Sequence, residues 1–254
     1  MNNNFTFIAN WKMGFSFEQT RVFAQDNYNE LINLAQNQHN HTIVLCPMFV
    51  ALEYMTTRFK NTHIKIGAQD CSSNQKGAFT GQVSAESLKQ VGTSFCIIGH
   101  SERRRYNHET NDIIAQKFMR LREQNIVPIV CIGETLEEYN NNKTIDILEK
   151  QLTEILMITK TQDKIGQNEI FIAYEPVWSI GTGLVPTNDY LERIFTWLAQ
   201  QTGSSSIYKL LYGGSVKSDN VKILAQIRHL NGFLIGGASL DFQEFKKIVE
   251  CNDE

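Results

Sequence analysis

The sequence is short of the features that would set it apart from ordinary globular proteins. It has four prolines and no Ser/Gly-rich stretch, so nothing marks a boundary and residues 1–254 read as a single domain. It has no apolar run long enough to span a bilayer, so no membrane is expected as a partner. Its start, Met1-Asn2-Asn3-Asn4-Phe5, has neither the basic opening nor the apolar core of a secretion signal. Positive charge is not in excess: the net charge of −3 argues against nucleic acid as the main partner. Five cysteines (Cys46, Cys71, Cys96, Cys131, Cys251) are scattered without metal-ligand spacing. Such a set reads as reduced thiols in a cytoplasmic protein, with no metal site.

What is present is a strand followed by a helix, over and over. Strands are predicted at Phe5–Ile8, Thr42–Cys46, His63–Ile66, Ser94–Ile98, Ile126–Cys131, Ile170–Ala173, Ile207–Tyr212 and Gly232–Ile235. Helical periodicity fills most gaps between them, in one long run from Phe15 to Leu34, and at Val50–Phe59, Ala85–Val91, Asn111–Gln124, Thr144–Ile158, Asn188–Gln201, Asp219–Ala225 and Asp241–Val249. Several strands are apolar on both faces, as buried parallel strands are. Eight βα units in about 250 residues is the arithmetic of a closed (β/α)8 barrel, an α/β fold of eight parallel strands. An open doubly wound sheet is the runner-up, but no GxGxxG follows the first strand.

A barrel collects its functional groups where strands end. Asn10, Trp11 and Lys12 follow the first strand. Gly99-His100-Ser101-Glu102 follows the fourth, and Cys131 to Glu134 the fifth. Glu175 follows the sixth, and Gly213-Gly214-Ser215 and Gly236-Gly237 close the seventh and eighth. Pro176 pushes Glu175 out of the helical region, so the strand stops at the acid. Large apolar residues closed by Gly181-Thr182-Gly183 follow, the composition of a loop able to move as a lid. A carboxylate desolvated under such a lid becomes a stronger base; the plainer alternative is a strand-end Glu in a surface ion pair. The glycine pairs expose backbone N–H groups that can cradle an anion, or they are two tight turns. His100 precedes a helical turn whose positive end disfavours an imidazolium, leaving a ring able to donate to a carbonyl oxygen. Lys12 can draw in an anionic substrate, or is a solvated loop lysine. Glu102, beside Arg103, Arg104 and Arg105, reads as a supporting charge. Cys131 reads as packed near the site and not as a nucleophile.

In their order these residues carry a resemblance that runs nearly end to end. The motifs are Ala9-Asn10-Trp11-Lys12-Met13, Gly77-Ala78-Phe79-Thr80-Gly81, Gly99-His100-Ser101-Glu102-Arg103-Arg104, Cys131-Ile132-Gly133-Glu134-Thr135, Ala173-Tyr174-Glu175-Pro176-Val177-Trp178, Ile180-Gly181-Thr182-Gly183, Tyr212-Gly213-Gly214-Ser215-Val216 and Gly236-Gly237-Ala238-Ser239-Leu240. Together they resemble the triosephosphate isomerase family. The resemblance implies an aldose–ketose isomerase of glycolysis and gluconeogenesis that interconverts dihydroxyacetone phosphate and D-glyceraldehyde 3-phosphate. It implies Glu175 as the base, His100 as the electrophile, and Lys12 with Asn10 on the substrate oxygens. Trp11 and the N–H groups of Gly181, Ser215, Gly236 and Gly237 would border the substrate and its phosphate. The lid would be Pro176, Val177, Trp178, Ser179, Ile180, Gly181, Thr182 and Gly183, with Glu102 and Cys131 behind the reacting groups. No cofactor is implied, because the redox change is internal to the substrate. A homodimer is implied, in which the loop Gln69–Gly81, with Thr80 near its tip, inserts beside Asn10 and Lys12 of the partner subunit.

Some positions depart from the family's usual residues. Ser179 stands for a more usual Ala, Leu184 for a Lys, Gln82 for a Glu, and Pro186 alters the lead into the next helix. None of these removes a proposed catalytic group. Another phosphosugar barrel would need a lysine embedded in a strand for a Schiff base, or a larger pocket. A non-catalytic anion binder on the same scaffold would keep the cradle but lose the base or the electrophile.

Overall fold

The computed structural model describes residues 4–38, 41–161, 169–180, 184–203 and 207–251. Eight parallel strands close into one barrel in chain order: β1 Thr6–Asn10, β2 Thr42–Cys46, β3 Lys65–Ala68, β4 Phe95–Ile98, β5 Val127–Ile132, β6 Ile170–Tyr174, β7 Tyr208–Tyr212 and β8 Leu230–Ile235. β1 pairs with both β2 and β8, which shuts the ring and leaves no edge strand. The (β/α)8 barrel expected from the repeat is therefore the fold.

The side-chain alternation of the strands sorts the core into two parts. Ile8, Val44, Cys46, Ile97, Ile129, Cys131, Phe171, Ala173, Leu211 and Leu234 belong to one cluster, which fills the inside of the barrel. Their neighbours Phe7, Ala9, Ile43, Leu45, Ile98, Val130, Ile172 and Leu210 pack outward under the helices. The inward phase continues past the strand ends. Two residues beyond Ile8 is Asn10, two beyond Ala173 is Glu175, and two beyond Leu211 is Gly213. The pleat thus aims functional groups at the barrel mouth.

Several boundaries differ from the sequence reading. The single helix expected over Phe15–Leu34 is two, Phe17–Asp26 and Tyr28–Asn37. Asn27 breaks it, its side chain donating to the Phe23 carbonyl at 2.9 Å, an example of a short polar side chain competing with the backbone. β1 runs to Asn10, two residues past the predicted end. β3 starts at Lys65, not His63, because residues before it are used in a turn: Asn61 is left-handed (φ 62°) and Thr62 Oγ1 bonds the Phe59 carbonyl and the Ile64 N–H. β8 begins at Leu230, because Asn231 Oδ1 accepts from the Leu210 N–H at 2.8 Å where the β7–β8 register slips. No helix among the described residues is long and apolar enough to cross a membrane.

Candidate active site

A cavity of about 230 Å³ opens at the C-terminal mouth of the barrel, lined among others by Asn10, Lys12, His100, Glu175, Ile180 and Ser215. Gly213, Gly214, Gly236 and Gly237 also line it. A larger groove of about 800 Å³ lies on the outside, between the helices Thr144–Thr161 and Asn188–Thr202. It holds no carboxylate–imidazole pair. The carboxylate–imidazole pair is at the mouth.

Glu175 is 2% exposed. Its Oε1 lies 3.1 Å from His100 Nε2, and its Oε2 accepts from the Ser101 N–H at 3.1 Å. The backbone behind it is fixed. Glu175 N–H donates to the Ile132 carbonyl at 2.7 Å, and a Cβ on Gly133 would overlap the Glu175 carbonyl. A Cβ on Gly213 would stand 2.8 Å from Glu175 Cγ. Glycine at both positions lets the neighbouring strands close on the acid.

His100 caps the short helix Ser101–Tyr106 with its ring: Nδ1 accepts from the Glu102 N–H at 3.2 Å. An acceptor at Nδ1 places the proton of the neutral ring on Nε2, the nitrogen facing Glu175 and the cavity. Gly99, left-handed at φ 67°, turns the chain from β4 into this cap. The turn is pinned by Arg104, which donates to the carbonyls of Gly99 at 2.8 Å and Cys131 at 3.1 Å.

Lys12 is itself left-handed, at φ 49°. Its neighbours hold it there: Asn10 Oδ1 accepts the Lys12 N–H at 3.1 Å, and Gln69 Nε2 donates to the Lys12 carbonyl at 2.8 Å. The ammonium reaches Glu102 at 2.7 Å. So a cation, an imidazole and a buried carboxylate border one small space beside two glycine turns. Such a set can move a proton between carbon and oxygen of a small anion.

Comparison with known proteins agrees with that geometry. The triosephosphate isomerase family profile matches residues 5–252. A triosephosphate isomerase from Dichelobacter nodosus is 41% identical over 247 residues, covering 95% of this chain and 96% of the relative. The chain belongs to the triosephosphate isomerase family. Similar proteins of the same name come from Thermodesulfovibrio yellowstonii, at 38% over 250 residues with 96% and 97% covered, and Psychromonas ingrahamii, at 36% over 248 residues with 96% of each covered.

Of the residues singled out through the family resemblance, most meet at the mouth and some do not. Trp11 does not line the cavity: it is 1% exposed, its indole packed on Phe15 and Phe23 and donating to the Ser239 carbonyl at 3.2 Å. Cys131 is fully buried below Glu175; burial, and then the adjacent carboxylate, push its thiol well above the ordinary range. Thr80 is exposed on the β3 loop. Pro176 to Ile180 are described, and Ile180 faces the cavity. Gly181, Thr182 and Gly183 lie outside the described residues.

The sequence reading assigned no supporting role to three groups. Gln69 ties the Lys12 turn to the end of β2, donating also to the Cys46 carbonyl at 2.9 Å. The Ser101 N–H holds the acid. Glu134, fully buried, accepts from Trp178 Nε1 at 2.8 Å and from the hydroxyls of Tyr190 at 2.9 Å and Tyr174 at 3.0 Å. It thereby anchors the turn Val177–Ser179. Glu134 had one available signal: an acid right after a strand, in Gly133-Glu134-Thr135, with no nearby cation in sequence.

Proposed function

We propose that this chain, folded as one domain, interconverts dihydroxyacetone phosphate and D-glyceraldehyde 3-phosphate in the cytoplasm. Glu175 takes the proton from the carbon beside the carbonyl, and an enediolate forms. His100 donates from Nε2–H to the developing oxyanion and relays protons between the two oxygens. Lys12, held in place by Asn10, adds positive charge at the same oxygens. The N–H groups of Ser215, Gly236 and Gly237, with that of Gly181 on the lid, take the phosphate. The proton's route begins and ends on the substrate, so the redox change is internal and no cofactor enters.

The observation that carries this reading is the 3.1 Å contact between Glu175 and His100 in a buried site. An α-carbonyl C–H is a very weak acid, and Glu an ordinary weak base with a reference pKa of about 4.3. The reaction therefore needs the enediolate stabilised and water excluded, and both demands fit a carboxylate that is almost wholly buried.

The test is an assay with glyceraldehyde 3-phosphate, coupled to reduction of the ketose product. Turnover lowered by about 10³-fold in Glu175→Gln supports the assignment. A protein that binds phosphate without turnover is an anion binder on this scaffold.

A homodimer is part of the proposal. Met13 is 88% exposed beside the Lys12 turn, and Phe49, Val50 and Phe79 are also exposed on that side of the barrel mouth. Apolar groups exposed around the polar β3 loop suit burial against a second copy. Sedimentation equilibrium checks it: a monomer at micromolar concentration contradicts the assembly.

A further inference from the structure

The outer groove encloses about 800 Å³, against about 230 Å³ at the mouth. Small-molecule sites span roughly 300–1,000 Å³, so its size suits a ligand larger than a triose. One stripe of the helix Asn188–Thr202 forms a wall. Tyr190, Arg193, Trp197 and Gln200 fall at i, i+3, i+7 and i+10 and all line the groove. Leu191, Ile194, Phe195 and Leu198 of the same helix are buried on its core side. Tyr139 adds a third ring, edge-on to Tyr190 with centroids 5.4 Å apart. Trp197 is half-buried. Among the described residues it has neither a ring partner nor an acceptor for its indole N–H.

The charges of the groove do not cancel. The Arg193 guanidinium lies 5.2 Å from the Tyr190 ring centroid, and no carboxylate pairs with it among the described residues. Arg228, ahead of β8, is held by Glu192. Its backbone N–H and Nε donate to the two carboxylate oxygens at 2.9 and 3.1 Å, which leaves its terminal nitrogens without a described acceptor. Among the described residues Glu192 is the one carboxylate lining the groove, and both its oxygens are engaged. Two arginines against one glutamate give the lining an excess positive charge, on a chain whose net charge is −3. An unstacked indole and unmatched guanidinium donors suit a flat ring joined to an anion. Asn140, Asn142 and Thr196, on the same lining, offer amides and a hydroxyl to a hydroxylated link between the two.

We propose that this groove binds a nucleotide, with the base against Trp197 and the tyrosines and the phosphate on Arg193 and Arg228. A nucleoside phosphate joins the three features that the lining matches: a π-face, sugar hydroxyls and a terminal anion. Base stacking and charge-assisted bonds to phosphate supply the affinity. None of Asn10, Lys12, His100 and Glu175 lines the groove, so the nucleotide is held there and not converted.

The test is isothermal titration calorimetry of the full chain with adenosine 5′-monophosphate, with circular dichroism to check that each variant folds. Adenosine, which lacks the anion, and ribose 5-phosphate, which lacks the ring, should each bind about ten-fold more weakly or worse. Trp197→Ala should weaken the nucleotide about ten-fold, within the range of one lost base stack, and Trp197→Phe should recover most of that loss. Arg193 is exposed, so Arg193→Ala should fold like the parent. It should weaken the nucleotide about five-fold and leave adenosine binding unchanged. The barrel mouth is the competing site for a phosphate. A nucleotide displaced by glyceraldehyde 3-phosphate and insensitive to both alanine substitutions would be bound at the mouth, which overturns the proposal. Equal affinity for ribose 5-phosphate, or no binding of the nucleotide at millimolar concentration, would overturn it as well.

Discussion

His100 Nε2 and Glu175 Oε1 stand 3.1 Å apart across the barrel mouth, and each group is held from behind by a single backbone N–H. The Glu102 N–H fixes the ring through Nδ1, and the Ser101 N–H fixes the acid through Oε2. Two consecutive amides of one turn thus position both groups. A substrate entering between them must displace the imidazole–carboxylate contact.

Position matters for the base as much as charge. Glu175→Gln should lower kcat by about 10³-fold, within the range of a lost general base. Glu175→Asp keeps the charge but withdraws it by about one bond length, and should cost on the order of 10²-fold. The coupled assay reads both. An Asp variant with parental kcat would show that Glu175 is not the proton acceptor.

The tautomer of His100 follows from its cap. In ¹⁵N spectra of the unliganded protein near neutral pH, the ring should show the Nε2–H pattern with a hydrogen-bonded, unprotonated Nδ1. A proton on Nδ1 would contradict the capping bond and remove the donor from the cavity.

Two glycines should behave differently. Gly133→Ala drives a methyl into the Glu175 carbonyl, which is fixed between β5 and β6, so a loss of about 1–3 kcal/mol in stability is expected, together with lost activity. Gly237→Ala meets nothing within 4 Å, so its stability should stay within about 0.5 kcal/mol of the parent. Its KM for the triose phosphate should rise, because a methyl then stands beside the proposed phosphate cradle. Urea titration and initial rates separate the two effects.

The pH dependence of stability should expose Glu134. Burial is the main cause that raises its carboxyl above the ordinary range, and the Trp178, Tyr190 and Tyr174 donors only partly offset it. A raised folded-state value means the folded protein holds this proton more readily than the unfolded chain does. Its favourable contribution is then complete below the unfolded value of about 4.3 and is lost as pH rises through the folded one. Relative to the parent, Glu134→Gln should therefore be more destabilising at acidic pH than at pH 8. Urea midpoints across that range provide the check; a reversed trend would mean the donors outweigh burial.

Thiol chemistry offers a simple test of the core. Cys46, Cys71, Cys96 and Cys131 are buried, and burial raises the thiols of Cys46, Cys96 and Cys131. Ellman's reagent at pH 8 should leave these four unlabelled in the folded protein over minutes and label them at once in denaturant. Rapid labelling of Cys131 in the folded protein would indicate that solvent reaches the space beneath Glu175.

Much of this was legible in the chain because barrel strands repeat a simple rule. Apolar runs ended by Asn10, His100, Glu175 and the glycine pairs at Gly213 and Gly236 told where strands stop, and the closed fold told that all stops share a rim. Errors fell where side chains compete with backbone. Asn27 breaks a helix that periodicity alone would continue, and Thr62 and Asn231 move strand starts by capturing backbone groups. The family resemblance places Trp11 beside the substrate, but its side chain turns into the core.

The order of apolar and polar residues determined the eight βα units, the inward phase that aims Asn10 and Glu175 at the mouth, and the glycines that let β5 and β7 close on the acid. These are local properties, set by a two-residue pleat and by what each side chain can bury. Only the tertiary structure decided that Gln69 clamps the Lys12 turn, that Glu134 receives Trp178, Tyr190 and Tyr174, and that Glu192 holds Arg228 beside the outer groove. Each of these contacts joins residues from different βα units, and their partnership exists only once the barrel has closed.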